Sequence, residues 1–287
     1  MTQDERNIII AALDEDTGAG DPTSEATVDP AIMGNAYFLA KANGVLSGME
    51  IALEVFGLYA ERSARRDAVA TKLLVSSGNP VTHGMKLAFV NAPLDILLGA
   101  ERVALNFLQR MSGIATMTKK FVDAVAGTNA TIIDTRKTAP LLRPFDRAAV
   151  RAGGGTNNRY SLGDMILVKD NHIAANGGDL VVLIEKLRNY RRSHPQLLIE
   201  LEVTTLAQFE TVLERGVGVI DRVMFDNFPL DKLAEGVKRN VGTFETEASG
   251  GVNLSNVRAI AETGVDLISV GSLTHSVTGL DISLEIE

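Results

Sequence analysis

From about residue 131 onward the sequence alternates short apolar strands with amphipathic stretches of about three turns, and this alternation constrains the fold more than any other feature. The strands read as TIID (131–134), MILV (165–168), LLIELEV (197–203), RVMF (222–225), FETEA (244–248) and LISVG (267–271). Helical patterns such as LAQFETVLERG and NLSNVRAIAETG lie between them, each ending on a glycine in C-cap position. Strand and helix in alternation over about 150 residues require a parallel sheet, open or closed into a barrel. In a barrel, ligands meet the C-terminal ends of the strands.

The residues at those ends can be read directly. They are Asp134, Arg136 and Lys137; Lys169, Asp170 and His172; Glu202; Asp226 and Asn227; Ser249, Gly250 and Gly251; Gly271 and Ser272. Loops are polar in any protein, so no single position carries weight. Polar or glycine residues after every one of the strands carry more. The first ~115 residues form shorter mixed segments, with helices expected at NIIIAAL and GMEIALEVFGLYAERS, and read as a separate α+β domain. A long helical pattern, AERVALNFLQRMSGIATMTKKFVDAV, bridges the two parts.

Composition narrows the chemistry. The 287 residues carry a net charge of −8, which argues against nucleic acid as a partner and makes any cationic patch local. There is no cysteine, hence no disulfide, thiolate zinc site or cysteine nucleophile, and a reducing cytoplasm fits. The N-terminal MTQDERNIII is charged where a secretory signal needs an apolar core, and no apolar run reaches the ~20 residues of a membrane span.

Four constellations remain. DEDTGAGDPTSE resembles a calcium loop, but its sixth residue is Ala19 where the sharp turn needs glycine, so a structural turn is the better reading. Arg136, Lys137 and Lys169 crowd at strand ends, where they repel one another unless anions balance them; a ligand with more than one carboxylate suits them. Arg143, Arg147 and Arg151 read as solvated helix-face charges. The loops EASGGVNLS and SVGSLTH follow the last two strands, the usual seat of a phosphate, with small residues and a following helix N-terminus to receive it. Glu202 and Asp226 are suited to acid–base work, metal binding or acceptance of sugar hydroxyls, the last two fitting better beside phosphate loops. The four histidines show no hydrolytic zinc spacing.

The run DTRKTAPLLRPFDRAAVRAGGGTNNRYSLGDMILVKDNHI closely resembles the signature of the quinolinate phosphoribosyltransferases. So do ALDEDTGAGDPTS, ERVALNFLQRMSGIAT, MFDN and EASGGVNLSNVRAIAETGVDLISVGSLTHS, in order and over essentially the whole chain. The resemblance implies an α/β protein with an N-terminal α/β sandwich (1–115), an incomplete, open α/β barrel (116–275) and a C-terminal tail (276–287) returning to the first domain. It implies conversion of quinolinate and phosphoribosyl pyrophosphate, with Mg2+, into nicotinate mononucleotide, pyrophosphate and carbon dioxide in NAD biosynthesis. It implies a homodimer or larger homo-oligomer with shared active sites.

Carried onto this chain, the family pattern makes Arg136, Arg159 and Lys169 the quinolinate ligands, with Thr135 and Asn158 beside them and Arg102 supplied by the neighbouring subunit. Lys137 would contact phosphate or pyrophosphate. Glu202 and Asp226 would hold ribose hydroxyls or the magnesium, and Ser249, Gly250, Gly251, Val270, Gly271 and Ser272 would cradle the 5-phosphate. One departure matters: the family usually has histidine where Asn158 stands, and an amide supplies only neutral hydrogen bonds. Leu141 replaces a common glycine. Three rival readings stay open: a Schiff-base aldolase using Lys169, a non-catalytic binder of a phosphorylated ligand, and a phosphoribosyltransferase acting on nicotinate itself.

Overall fold

The computed structural model describes residues 1–287, which divide into two compact units. The first comprises Met1–Lys119, Thr138–Gly154 and Leu273–Glu287; the second comprises Lys120–Lys137 and Gly155–Ser272. In chain order the N-terminal elements are α1 (Gln3–Thr17), α2 (Pro22–Thr27), β1 (Met33–Ala40), β2 (Gly44–Val45), α3 (Met49–Glu61), β3 (Ala70–Leu73), β4 (Pro80–Val81), β5 (Lys86–Pro93) and α4 (Leu94–Ala124). The alternating part follows with β6 (Thr131–Ile133), α5 (Arg143–Ala152), β7 (Ile166–Val168), α6 (Asp170–Ala175), α7 (Leu180–Ser193), β8 (Ile199–Val203) and α8 (Leu206–Arg215). It continues through β9 (Arg222–Asp226), α9 (Leu230–Asn240), β10 (Glu245–Ser249), α10 (Val257–Glu262), β11 (Leu267–Ser269) and α11 (Ser272–His275), and the chain closes on β12 (Ile282–Ile286).

In the first unit, β12, β1, β5 and β3 form an antiparallel sheet in that order, so the last strand of the chain lies beside the first. Alternate residues Ala36, Phe38 and Ala40 of β1 are buried, and Phe38 meets Phe56 of α3 edge to face at 6.1 Å. Burying such a side chain stabilises the layer by about 2–3 kcal/mol. Asp14 and Asp16 lie in the last turn of α1, and Asp14 accepts from Arg62 at 2.6 Å, so the residues of the calcium-like pattern do not form one loop. Helix α5 also belongs to this unit. Its Asp146 is fully buried and held by both ends of the Arg110 fork, at 2.8 Å each. Arg151 of α5 is exposed as expected, whereas Arg143 and Arg147 are half-buried, and Arg143 Nε donates to Thr138 Oγ1 at 3.2 Å.

The second unit is built on a six-stranded parallel sheet in the order β6-β11-β10-β9-β8-β7. The first strand therefore lies next to the last, and only the seam between β6 and β7 is unpaired. Residues from all six strands or their ends line one cavity, which a flat sheet could not arrange, so this is an open α/β barrel. Outward positions Ile199, Leu201, Val203, Val223 and Phe225 are apolar and buried, with Phe209 of α8 packing on Phe225 at 5.0 Å. Inward positions are mostly polar, among them Glu200, Glu202, Arg222 and Glu247. No helix in the chain is long and apolar enough to cross a membrane.

Element ends shift from the sequence reading where local chemistry was ambiguous. The long helix begins at Leu94, a turn and a half before the expected Ala100, because the apolar LDILL continues the preceding strand in pattern but follows a proline that ends it. The C-cap of α10 is Thr263, and Gly264 follows it with φ of 88°; Gly216 caps α8 at −88° and is glycine because a Cβ there would meet the Val212 carbonyl at 2.6 Å.

Candidate active site

The inward-facing residues at the strand C-termini enclose a cavity of about 670 Å³. On one side stand Thr135, Arg136, Lys137, Asn158, Arg159 and Lys169. On the other stand Glu202, Asp226, Ser249, Gly250 and Gly251. With Asp170 and Asn227, thirteen of the residues singled out in the sequence thus meet around a single space.

The cationic side is held from below by backbone chemistry. Strand β6 is followed by Asp134, which is fully buried and does not face a ligand as a strand-end residue might. Thr135 Oγ1 accepts the Lys137 N–H at 3.1 Å and so turns the chain after the strand. Lys169 sits at the N-terminus of α6, where His172 Nδ1 accepts its backbone N–H at 2.9 Å; His172 is thereby used as a cap. Arg159 is half-buried. Burial and then the charge of Arg136 lower its pKa, while Glu200 and Asp164 oppose this.

The acidic side is desolvated. Glu202 is buried at the end of β8, and burial raises its pKa, the nearby Asp226 adds to this, and Lys169 opposes it across a long 3.8 Å ion pair. Asn227 has φ of 54° and its side-chain amide donates to Asp226 Oδ2 at 2.7 Å. Gly250 follows with φ of 92°, and a Cβ there would clash with the Asn227 side chain, so both conformation and space demand glycine. The carbonyl of Gly251 is fixed by Asn253 and Asn256 side-chain amides at 3.1 and 3.0 Å. The expected helix dipole behind this loop is weak, because α10 starts only at Val257 and has six residues.

Four of the expected positions lie elsewhere. Val270 is fully buried and its N–H donates to Ile133 O at 3.0 Å, so only its backbone is placed near a strand end. Gly271 and Ser272 follow it, half-buried, at the start of α11. Arg102 is exposed on α4 in the first unit.

The cavity also has a floor that the sequence reading missed: Leu167, Met224, Glu247 and Ser269. Each lies two residues before a strand-end residue already identified, so the period of two along an inward-facing strand would have found them. Glu247 also belongs to a buried ionic layer with Glu200 and Arg222. Glu200 and Glu247 have no exposed surface, and Arg222 Nη1 approaches both at 3.7 and 3.5 Å. Neither Glu200 oxygen, nor Glu247 Oε1, meets a protein donor if both acids are ionised. Burial first, and the neighbouring Glu247 charge second, push Glu200 up to about 9, so at neutral pH it carries a proton that supplies the missing donor.

An open barrel whose guanidinium and ammonium groups face carboxylates and a glycine loop has the charge to receive an anionic ligand. Profiles of the N-terminal and C-terminal domains of quinolinate phosphoribosyl transferase match residues 21–112 and 114–285. The chain belongs to the quinolinate phosphoribosyltransferase family. Quinolinate phosphoribosyltransferase (decarboxylating) 1 of Nicotiana glauca is 42% identical over 300 residues, covering 100% of this chain and 83% of its own. Nicotinate-nucleotide pyrophosphorylase (carboxylating) of Mycobacterium leprae is 41% identical over 289 residues, covering 98% and 96%. The crystal structure of nicotinate-nucleotide pyrophosphorylase from Ehrlichia chaffeensis superposes with a TM-score of 0.90 at 36% identity, covering 100% of this chain and 99% of that one.

Proposed function

We propose that this chain transfers the phosphoribosyl group of phosphoribosyl pyrophosphate to the ring nitrogen of quinolinate and releases the 2-carboxylate as carbon dioxide. The products are nicotinate mononucleotide and pyrophosphate, in de novo NAD biosynthesis. Family membership carries the reaction, and one observation carries its placement: Arg136, Arg159 and Lys169 share a cavity with Glu202, Asp226 and the Gly250–Gly251 loop. A dianionic pyridine balances the first group, and a ribose with its 5-phosphate matches the second.

The roles follow from charge. Arg136, Arg159 and Lys169 bind the two carboxylates, with Thr135 and Asn158 donating neutral hydrogen bonds, and hold the ring nitrogen toward the anomeric carbon. As pyrophosphate departs with the electron pair of its C–O bond, the ribose gains positive charge, which the carboxylates of Glu202 and Asp226 stabilise. Lys137 neutralises the departing phosphates. Once the nitrogen is quaternary, its positive charge stabilises the electron pair left on the adjacent ring carbon when the carboxylate departs as carbon dioxide, and that carbon then takes up a proton. Ser249, Gly250 and Gly251 receive the 5-phosphate, with the backbone of Val270, Gly271 and Ser272 at the adjoining strand end.

No three acidic or histidine side chains converge to make a complete metal cage. Glu202 and Asp226 nonetheless fit Mg2+, which keeps waters and binds through one or two carboxylates plus substrate phosphates. When bound it would neutralise charge on pyrophosphate. The assembly we propose is a homodimer or larger homo-oligomer in which Arg102 of one protomer serves the cavity of its neighbour, consistent with its exposure here. The compartment proposed is the cytoplasm, supported by the cysteine-free composition.

Arg136→Ala tests the dianion pocket. Losing a charged fork on a carboxylate should cost about 3 kcal/mol, a hundredfold or so in kcat/KM for quinolinate. Near-normal turnover would contradict this reading.

A further inference from the structure

Where the barrel seam is open, side-chain hydrogen bonding takes over from the backbone ladder. The last backbone pairing there joins Ile133 to Thr156: the Thr156 N–H donates to Ile132 O at 2.9 Å, and the Asp134 N–H donates to Thr156 O at 3.2 Å. Strands β6 and β7 are not neighbours, and residues 157–165 form neither helix nor strand. Two carboxylates hold this segment. Asp164 folds its far part by accepting the N–H groups of Tyr160 and Ser161 at 2.6 and 3.2 Å. Asp134 holds its near part: Oδ1 accepts the Asn158 N–H at 2.7 Å, and Oδ2 accepts the Asn157 side-chain amide at 2.6 Å.

The chain of contacts continues into the cavity. Asn158 Oδ1 accepts the Arg159 N–H at 2.8 Å, and the Arg159 guanidinium donates from Nη1 to Met165 O at 3.3 Å. A fully buried carboxylate therefore grips the backbone of one cavity-lining residue, and that residue's own side chain fixes the backbone of the next. Charge-assisted acceptors of this kind are about twice as strong as neutral ones, which suits a grip on a segment with no ladder of its own.

We infer that Asp134 is a positioning residue for the acid-binding side of the cavity: by gripping Asn157 and the Asn158 N–H across the open seam, it sets where the Asn158 side chain and the Arg159 guanidinium stand. It touches neither substrate nor reacting atoms. The inference rests on the reading that Asn158 and Arg159 contact the pyridine acid.

The test compares Asp134→Ala, Asp134→Asn and Arg159→Ala in the full chain, with KM for quinolinate and for phosphoribosyl pyrophosphate, kcat, quinolinate binding by calorimetry, and the thermal midpoint. Asp134→Ala should weaken quinolinate about tenfold or more while KM for phosphoribosyl pyrophosphate stays within about twofold. Asp134→Asn keeps an oxygen for the Asn158 N–H, and Asn157 can turn its amide over to face the new donor, so quinolinate should bind within about threefold of the unaltered protein. Unchanged quinolinate binding in Asp134→Ala, or equal weakening of both substrates, would overturn the positioning role. If Asp134→Ala does not fold, Asn157→Ala decides by removing one of the two grips: a selective rise in KM for quinolinate of about threefold supports the role, and no rise overturns it. Arg159→Ala separates the layers. Should it abolish quinolinate binding while Asp134→Ala does nothing, the positioning role alone falls; should it leave binding intact, the reading of Arg159 falls and the inference with it.

Discussion

Asn158 presents an amide where the family pattern carries an imidazole, and the two differ in charge more than in reach. Its oxygen is engaged by the Arg159 N–H, which directs the amide nitrogen as the donor end. An amide donates equally at every physiological pH, whereas an imidazole with a pKa of about 6.5 adds positive charge only as the pH falls. Asn158→His should therefore tighten quinolinate several-fold near pH 6 and lose that advantage near pH 8. Steady-state KM measured across this range checks it, and identical values for the two proteins would show that position 158 does not face a carboxylate.

At the level of elements, β8, β9 and β10 carry an interior layer of Glu200, Arg222 and Glu247. Glu200 has an ordinary value of 4.5 in the unfolded chain and about 9 in the fold, so the folded state binds the extra proton between them. Its contribution to stability is fully present below about 4.5 and is lost as the pH rises toward about 9. Glu200→Gln keeps a donor toward Glu247 without an ionisable group. Thermal midpoints should fall with rising pH in the unaltered protein and fall less in Glu200→Gln; parallel slopes would contradict a protonated Glu200. This layer was legible in principle, since ELE in LLIELEV places two acids on one face of a strand. An alternating strand does not say which face turns into a barrel, however, and only Glu202 stands at the strand end where a ligand is expected. The strand-end residues were legible because each lies where an apolar run breaks. Asp134 was misread for the same reason: it marks a strand end, but hydrogen bonds to the following segment bury it.

The whole molecule combines a unit rich in antiparallel sheet with an open parallel barrel, and the alternating sequence announced the second far more clearly than the first. Segments 138–154 and 273–287 pack with the N-terminal unit, an exchange that local periodicity does not encode. Arg102 belongs to that unit and is exposed. If it serves a neighbour, two inactive variants must complement one another. Mixing refolded Arg102→Ala and Arg136→Ala subunits should recover up to about a quarter of normal activity, because half the dimers are hybrids with one complete site. Full inactivity of the mixture would place Arg102 outside the shared site.

The most direct test of the central claim is a turnover assay with phosphoribosyl pyrophosphate and magnesium, using quinolinate labelled in its 2-carboxylate, with nicotinate in parallel. Label should appear as carbon dioxide in equal amount to nicotinate mononucleotide, with little product from nicotinate, which lacks the second carboxylate. Product from nicotinate alone, or no product from either acid, would contradict it.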